Sequence, residues 1–156
     1  MVSRKAACAA LAAVVIIADQ LAKAAARATL APAENASLPG SFLQIVNVSN
    51  TGSVFGLLKG TSGYLAAIAI AAIAILLINY RKMRQGTQQF AAALIMAGLA
   101  SNTLDRLLRG AVTDFIYIRP WPAFNLADAT LTAGAALMAL SFLPPRHGRR
   151  KRHHTK

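Results

Sequence analysis

At 156 residues the chain is one domain long, and 56% hydrophobic residues against 14% charged ones is lopsided for a soluble protein of that size. A formal charge of +12 suggests nucleic acid until the basic residues are located: they gather at the ends of long uncharged segments, the pattern of a membrane protein rather than of a polyanion-binding surface. The single cysteine, Cys8, excludes an internal disulfide, and its Ala-rich surroundings make it a packing residue.

In chain order, Arg4 and Lys5 precede a first helix expected over about 6–27, whose apolar run continues past any early small-residue site and so is not a removed signal peptide. Asp19, Lys23 and Arg27 fall at i, i+4 and i+8 on one face, with the acid on the N-terminal side of the base, the favourable order for a helical ion pair. The preferred reading is mutual neutralisation with Arg27 reaching to the headgroups; a catalytic set is the other. Over 31–59 the composition changes. Pro32, Pro39 and Gly40 precede the β-branched run Phe42 to Val48, which reads as a strand, and Asn50-Thr51-Gly52-Ser53-Val54-Phe55-Gly56 reads as a turn open to close backbone approach. A small outward-facing sheet is expected there.

Helix two, about 61–80, has no polar face between Tyr64 and Ile78, which argues against a soluble Ala-rich bundle and for a scaffold helix. After Arg81, Lys82 and Arg84, helix three is expected over about 88–108 and turns polar at its end with Ser101, Asn102, Asp105, Arg106 and Arg109. Asn102 and Arg106 share a face, and Asp105 is expected to compensate Arg106; simple interfacial anchoring is the alternative.

The stretch 110–128 places two carboxylates, Asp114 and Asp128, beside apolar segments, where an ionised group costs at least a few kcal/mol and calls for a cavity, a partner or chemistry. A continuous helix would hold them ~21 Å apart, but Pro120 and Pro122 break that path and leave enough chain to bring the carboxyls together. The helix dipole alone would also explain an acid at Asp128. Trp121 suits an interface, helix four is expected over about 125–143, and a basic tail follows over 146–156. The fold expected is therefore an all-α membrane protein with four transmembrane helices and a β-rich segment between helices one and two, forming a single domain over 1–145. Basic residues at both termini and in the middle loop put those inside and loops 31–59 and 110–123 outside. The tail is drawn to anionic lipid rather than to nucleic acid or a metal.

These motifs resemble the lipoprotein signal peptidases, or signal peptidase II, over nearly the whole chain. Asp19 with Lys23, Asn50-Thr51-Gly52 with Phe55, and Asn102-Thr103-Leu104-Asp105-Arg106 look like the family's first three motifs, and 110–116 with 124–128 look like the segments that carry its catalytic aspartates. Two departures stand out: Ala97-Gly98 replaces paired glycines and Ser101 replaces a small glycine, which predicts a looser helix contact. The segment between the aspartates is also short, which argues against an added amphipathic helix there.

The resemblance implies an aspartic endopeptidase of the bacterial inner membrane, without metal or other cofactor, that removes signal peptides from diacylglyceryl-modified prolipoproteins just before the lipidated cysteine. It makes Asp114 and Asp128 the catalytic pair, Asn125 and Arg106 their support, and Asn50 and Gly52 part of the substrate path. Asp19, Lys23 and Asn102 become supporting residues. Membrane lipid and prolipoprotein are the expected partners of a monomer that binds no nucleic acid. Two readings of other classes compete: a proton-coupled carrier with Asp19, Lys23, Asp114 and Asp128 as a relay, and a non-enzymatic assembly factor that uses the aspartates as anchors. The carrier is disfavoured because its acids would sit near the midplane of repeated halves.

Overall fold

The structure, a computed structural model, describes residues 3–34, 42–52, 62–83 and 86–143. Ser53 to Gly56, Arg84 and the basic tail 146–156 lie outside the described residues. Within them run α1 (Arg4–Thr29), β1 (Leu43–Asn50), α2 (Ser62–Asn79), α3 (Thr87–Arg109), β2 (Val112–Ile118) and α4 (Leu126–Leu140).

The helices are built inside out. On α2, Tyr64 is 76% and Ile78 is 73% exposed, while the buried residues are the small ones, Ser62, Ala66 and Ala69. Burying small residues and presenting large apolar ones suits a lipid solvent, in which helices gain nothing by hiding leucine and associate through close backbone packing. Two helical segments among the described residues are long and apolar enough to cross a bilayer, Arg4–Thr29 with mean hydropathy 1.7 and Ser62–Lys82 with 2.2. The helix α3 has the length, at ~1.5 Å per residue, but its last turns carry the polar cluster, and α4 is shorter at 15 residues.

Packing centres on α3, which touches each of the other helices and meets α4 most extensively. The looser α3–α4 contact expected from Ala97 and Ser101 is not what the structure shows. Both are buried, and a Cβ added at Gly98 would lie 2.5 Å from the Ala127 carbonyl oxygen; one added at Gly134 would lie 2.9 Å from that of Ala91. A single glycine at each end of the crossing is sufficient for backbone approach. Gly98→Ala is expected to destabilise the protein by roughly 1–3 kcal/mol, the usual cost of overpacking, and to displace the start of α4. Thermal unfolding in detergent measures the first, and a fall in turnover reports the second.

The strand expected near 42–48 is β1. Its partner is β2, which comes from between α3 and α4, a segment expected only as an outer loop. The two run antiparallel with Val48 opposite Asp114, Ser49 opposite Thr113 and Asn50 opposite Val112. Because side chains alternate along a strand, Thr113 and Asp114 leave opposite faces of the sheet. After β2 the chain doubles back: Arg119-Pro120 is cis, Trp121 N donates to the Ile118 carbonyl at 2.6 Å, and Phe115 N and Ile116 N both donate to the Phe124 carbonyl. This tight return contains no helix, in accord with the short segment, and delivers Asn125 to the start of α4.

Candidate active site

The site is assembled at the N-terminus of α4. Asn125 is the N-cap: its Oδ1 accepts from Asp128 N at 2.8 Å, and Asp128 Oδ2 accepts in return from Asn125 N at 3.3 Å. This reciprocal capping box satisfies two amides that have no partner inside the helix. It also fixes the Asn125 amide group. With Oδ1 committed to the helix, Nδ2 points away and donates to Asp114 Oδ1 at 2.7 Å. Asn125, fully buried, thereby ties the two carboxylates expected from sequence into one unit. A residue fourteen positions from Asp128 arrives there because β2 hands Asp114 to the same point.

Each carboxylate has a second amide donor. Asn50 Nδ2 donates to Asp114 Oδ2 at 3.0 Å, while Asn50 Oδ1 accepts from Gly52 N at 2.9 Å. Gly52 has φ +90°, a left-handed backbone that glycine adopts without strain, and this lets the turn close under the Asn50 side chain. Asn102 Nδ2 donates to Asp128 Oδ1 at 2.8 Å. Asp114 is buried and Asp128 is half-buried, so the pair has one open side. Burial pushes the Asp114 carboxyl up to about 6; the Asp128 charge adds to the rise, and the amides of Asn50 and Asn125 pull the other way. Arg106 lies in the field of Asp128 first and Asp114 second, and its buried Nε has no hydrogen-bond partner among the described residues.

Behind the pair lies a buried charge cluster. Lys23 Nζ is 2.7 Å from Asp19 Oδ2, 3.1 Å from Asp105 Oδ2 and 2.7 Å from Asn102 Oδ1, and Lys23, Asp19 and Asp105 are all fully buried. The ammonium has three protons and three acceptors, so it is fully used. Its hold on Asn102 Oδ1 turns Asn102 Nδ2 towards Asp128, which makes Lys23 the residue that sets the direction of that amide. Asp19 reaches further: its Oδ1 accepts from Ala127 N at 2.9 Å, a free amide in the first turn of α4, and its Oδ2 accepts from Ser101 Oγ at 2.6 Å. The hydroxyl of Ser101 therefore helps to dock α1.

All nine residues singled out from sequence converge here, or, in the case of Gly52, support one that does. Asp105 adds its charge to the field at Arg106, as expected, while its ion pairs are with Lys23, with Arg109 at 3.1 Å and with Arg27 at 4.0 Å. Arg27 donates to Thr113 Oγ1 at 2.8 Å and stays partly exposed. Gln20, whose Nε2 donates to the Ser101 hydroxyl at 3.0 Å, was missed; its only signal was adjacency to Asp19 on a helix otherwise rich in alanine.

On the open side of Asp128 a cleft of about 690 Å³ runs between Ile118, Trp121, Phe124 and the small residues Ala129, Ala133 and Ala136 of α4. Its walls are mostly apolar, and Trp121 is largely exposed at its mouth.

The family model described as signal peptidase (SPase) II matches residues 11–144. The lipoprotein signal peptidase of Moorella thermoacetica is 34% identical over 137 residues, covering 86% of this chain and 91% of the relative. That of Paraburkholderia phymatum is 39% identical over 142 residues, covering 85% of each. A solved structure described as a bacterial membrane enzyme superimposes with a TM-score of 0.82 at 30% identity, over 89% of this chain and 94% of that one. With the match extending from α1 to the end of α4, the chain belongs to the lipoprotein signal peptidase family, the signal peptidase II group of aspartic peptidases.

Proposed function

We propose that Asp114 and Asp128 are the catalytic pair of this signal peptidase and that the substrate is a prolipoprotein already carrying a diacylglyceryl group on the cysteine after the cut. The observation that carries this reading is Asn125, which forms the capping box with Asp128 and donates its Nδ2 to Asp114 while leaving Asp128 open to the apolar cleft. Adjacent carboxyls do not both ionise readily, so the pair retains a shared proton, in keeping with the raised Asp114. One carboxylate takes a proton from water as the oxygen attacks the scissile carbonyl carbon, and the protonated partner donates to the carbonyl oxygen. The roles reverse as the carbon–nitrogen bond breaks and the leaving amine is protonated. Arg106, in the field of both carboxylates, supplies a positive charge beside the pair. Asn50 and Gly52 border the peptide's approach.

The enzyme is read as one domain over 1–145 with four membrane-spanning helices in the inner membrane, both termini cytoplasmic and the pair at the outer face. It works as a monomer without a cofactor. The distribution of Arg and Lys supports that orientation, and the apolar wall of the cleft supports a lipid-bearing substrate. Acyl chains held in the bilayer, at ~0.8 kcal/mol per buried CH₂, keep the cysteine at the depth of the carboxylates. Cleavage of one precursor with and without the diacylglyceryl group tests this. The lipidated form is expected to have a kcat/KM at least about 100-fold higher; equal values would remove the case for lipoprotein specificity.

A further inference from the structure

A second pocket, of about 340 Å³, lies on the reverse side of the sheet from Asp114 and contains Arg27, Arg109, Asn47, Ser49, Thr113 and Leu30. The peptidase reading uses none of these. Arg27 ends α1 and Arg109 ends α3, and both are directed at one carboxylate oxygen, Asp105 Oδ1, at 4.0 and 3.1 Å. The other oxygen of Asp105 already holds Lys23 and the Thr113 amide. Three cations, Lys23, Arg27 and Arg109, thus share two carboxylates, Asp19 and Asp105, and the cluster has one positive charge in excess. Glu34, on the nearby loop, is turned to the Ala31 amide at 2.6 Å and does not line the pocket.

The described hydrogen bonds and ion pairs of each guanidinium use one nitrogen, Nη1, and both part-exposed side chains line the pocket. Two convergent guanidiniums with adjacent hydroxyls form the donor set that suits a tetrahedral oxyanion, since a planar fork gives two parallel bonds to phosphate oxygens. The Thr113 hydroxyl accepts from Arg27 and keeps its own proton to donate, and Ser49 is exposed on the neighbouring strand. Next to this polar end, Leu107 and Leu108 face outward from the last turns of α3. A charged pocket is therefore set where an apolar helix surface ends.

We infer that this pocket binds a phosphate group, carried by an anionic phospholipid headgroup or supplied as free phosphate. Such a ligand neutralises the excess charge and holds Arg27 against Thr113, the neighbour of Asp114 in β2. The inference is independent of which residues cut the peptide, and its test needs no turnover.

The purified protein in detergent is equilibrated with phosphatidylglycerol, with uncharged diacylglycerol, and with inorganic phosphate, and bound ligand is read by native mass spectrometry. Retention of phosphatidylglycerol is expected to exceed that of diacylglycerol by at least about tenfold. Both Arg27→Gln/Arg109→Gln and Ser49→Asp are expected to abolish the difference. The second variant keeps Asp105 and both arginines and adds a negative charge that competes with and repels the phosphate, and its unfolding temperature without ligand verifies that it is folded. If inorganic phosphate displaces the lipid, either source fills the site; if it does not, the headgroup is the ligand together with its acyl chains. Equal retention of the charged and uncharged lipids, or wild-type retention by a folded Ser49→Asp protein, overturns the inference.

Discussion

Asp114→Asn and Asp128→Asn are each expected to lower kcat by at least about 10³-fold with a lipidated precursor, in line with the loss of a general acid or base. The double variant should be no worse than either single one, because two groups that act as a unit lose their joint effect once. Neither change should unfold the protein. An Asn at either position keeps one acceptor oxygen and gives up the other, so one of the two amide donors at each carboxylate loses its partner, at a cost of about 1–3 kcal/mol. Against that, removing the Asp114 charge relieves its desolvation. Its carboxyl is raised from 3.8 to about 6, so the folded state binds this proton more tightly than the unfolded one. Stability from this group is complete below pH ~4 and falls as pH rises towards 6. Asp114→Asn flattens that slope. In the wild type the same proton is needed for turnover, and kcat/KM of the free enzyme should decline as pH rises through about 6. Near-normal turnover by either single variant, with folding confirmed, would mean the pair is not the catalytic one.

The carboxylates were legible because their cost is local: an acid beside apolar segments needs a reason whatever the fold, and two prolines between Asp114 and Asp128 show that the chain turns. Helix placement was legible for the same reason, since uncharged runs of bilayer length leave few alternatives. The strand β2 was not. VTDFIYI has no clean alternation of polar and apolar residues, and what makes it a strand is the edge of β1, more than sixty positions earlier. Asp105 was legible only as the neighbour of Arg106, because sequence displays neighbours, whereas its ion-pair partners include Lys23, eighty-two positions away, and Arg109. Asn102 shows the limit most clearly. Its place on the face of α3 could be read, but the direction of its amide depends on an ammonium delivered by another helix.

That dependence gives the second large effect. Lys23→Met keeps much of the side-chain volume and removes the charge, which leaves Asp19 and Asp105 buried without their shared cation. Breaking a buried pair by deleting one partner typically costs 3–5 kcal/mol, and here one ammonium serves two carboxylates and an amide at 2.7 to 3.1 Å. The protein should unfold at markedly lower temperature in detergent, and accumulate poorly in the membrane. Instability alone would not show that Lys23 positions the active site, so the decisive variant is the neutral cluster Asp19→Asn/Lys23→Met/Asp105→Asn. With no fully buried charge left in the cluster, and with Arg27 and Arg109 partly open to solvent after losing Asp105, much of the stability should return. Activity should not, because Asn102 Oδ1 then has no ammonium to orient it, and the amide can turn its oxygen towards Asp128 and repel the carboxylate that it now supports. The expected outcome is a protein with most of its thermal stability, a kcat reduced by about 10² or more, as one misplaced group can cause, and a KM little changed, since the cleft wall is untouched. Recovery of kcat together with stability would show that the Lys23 cluster only holds the helices together.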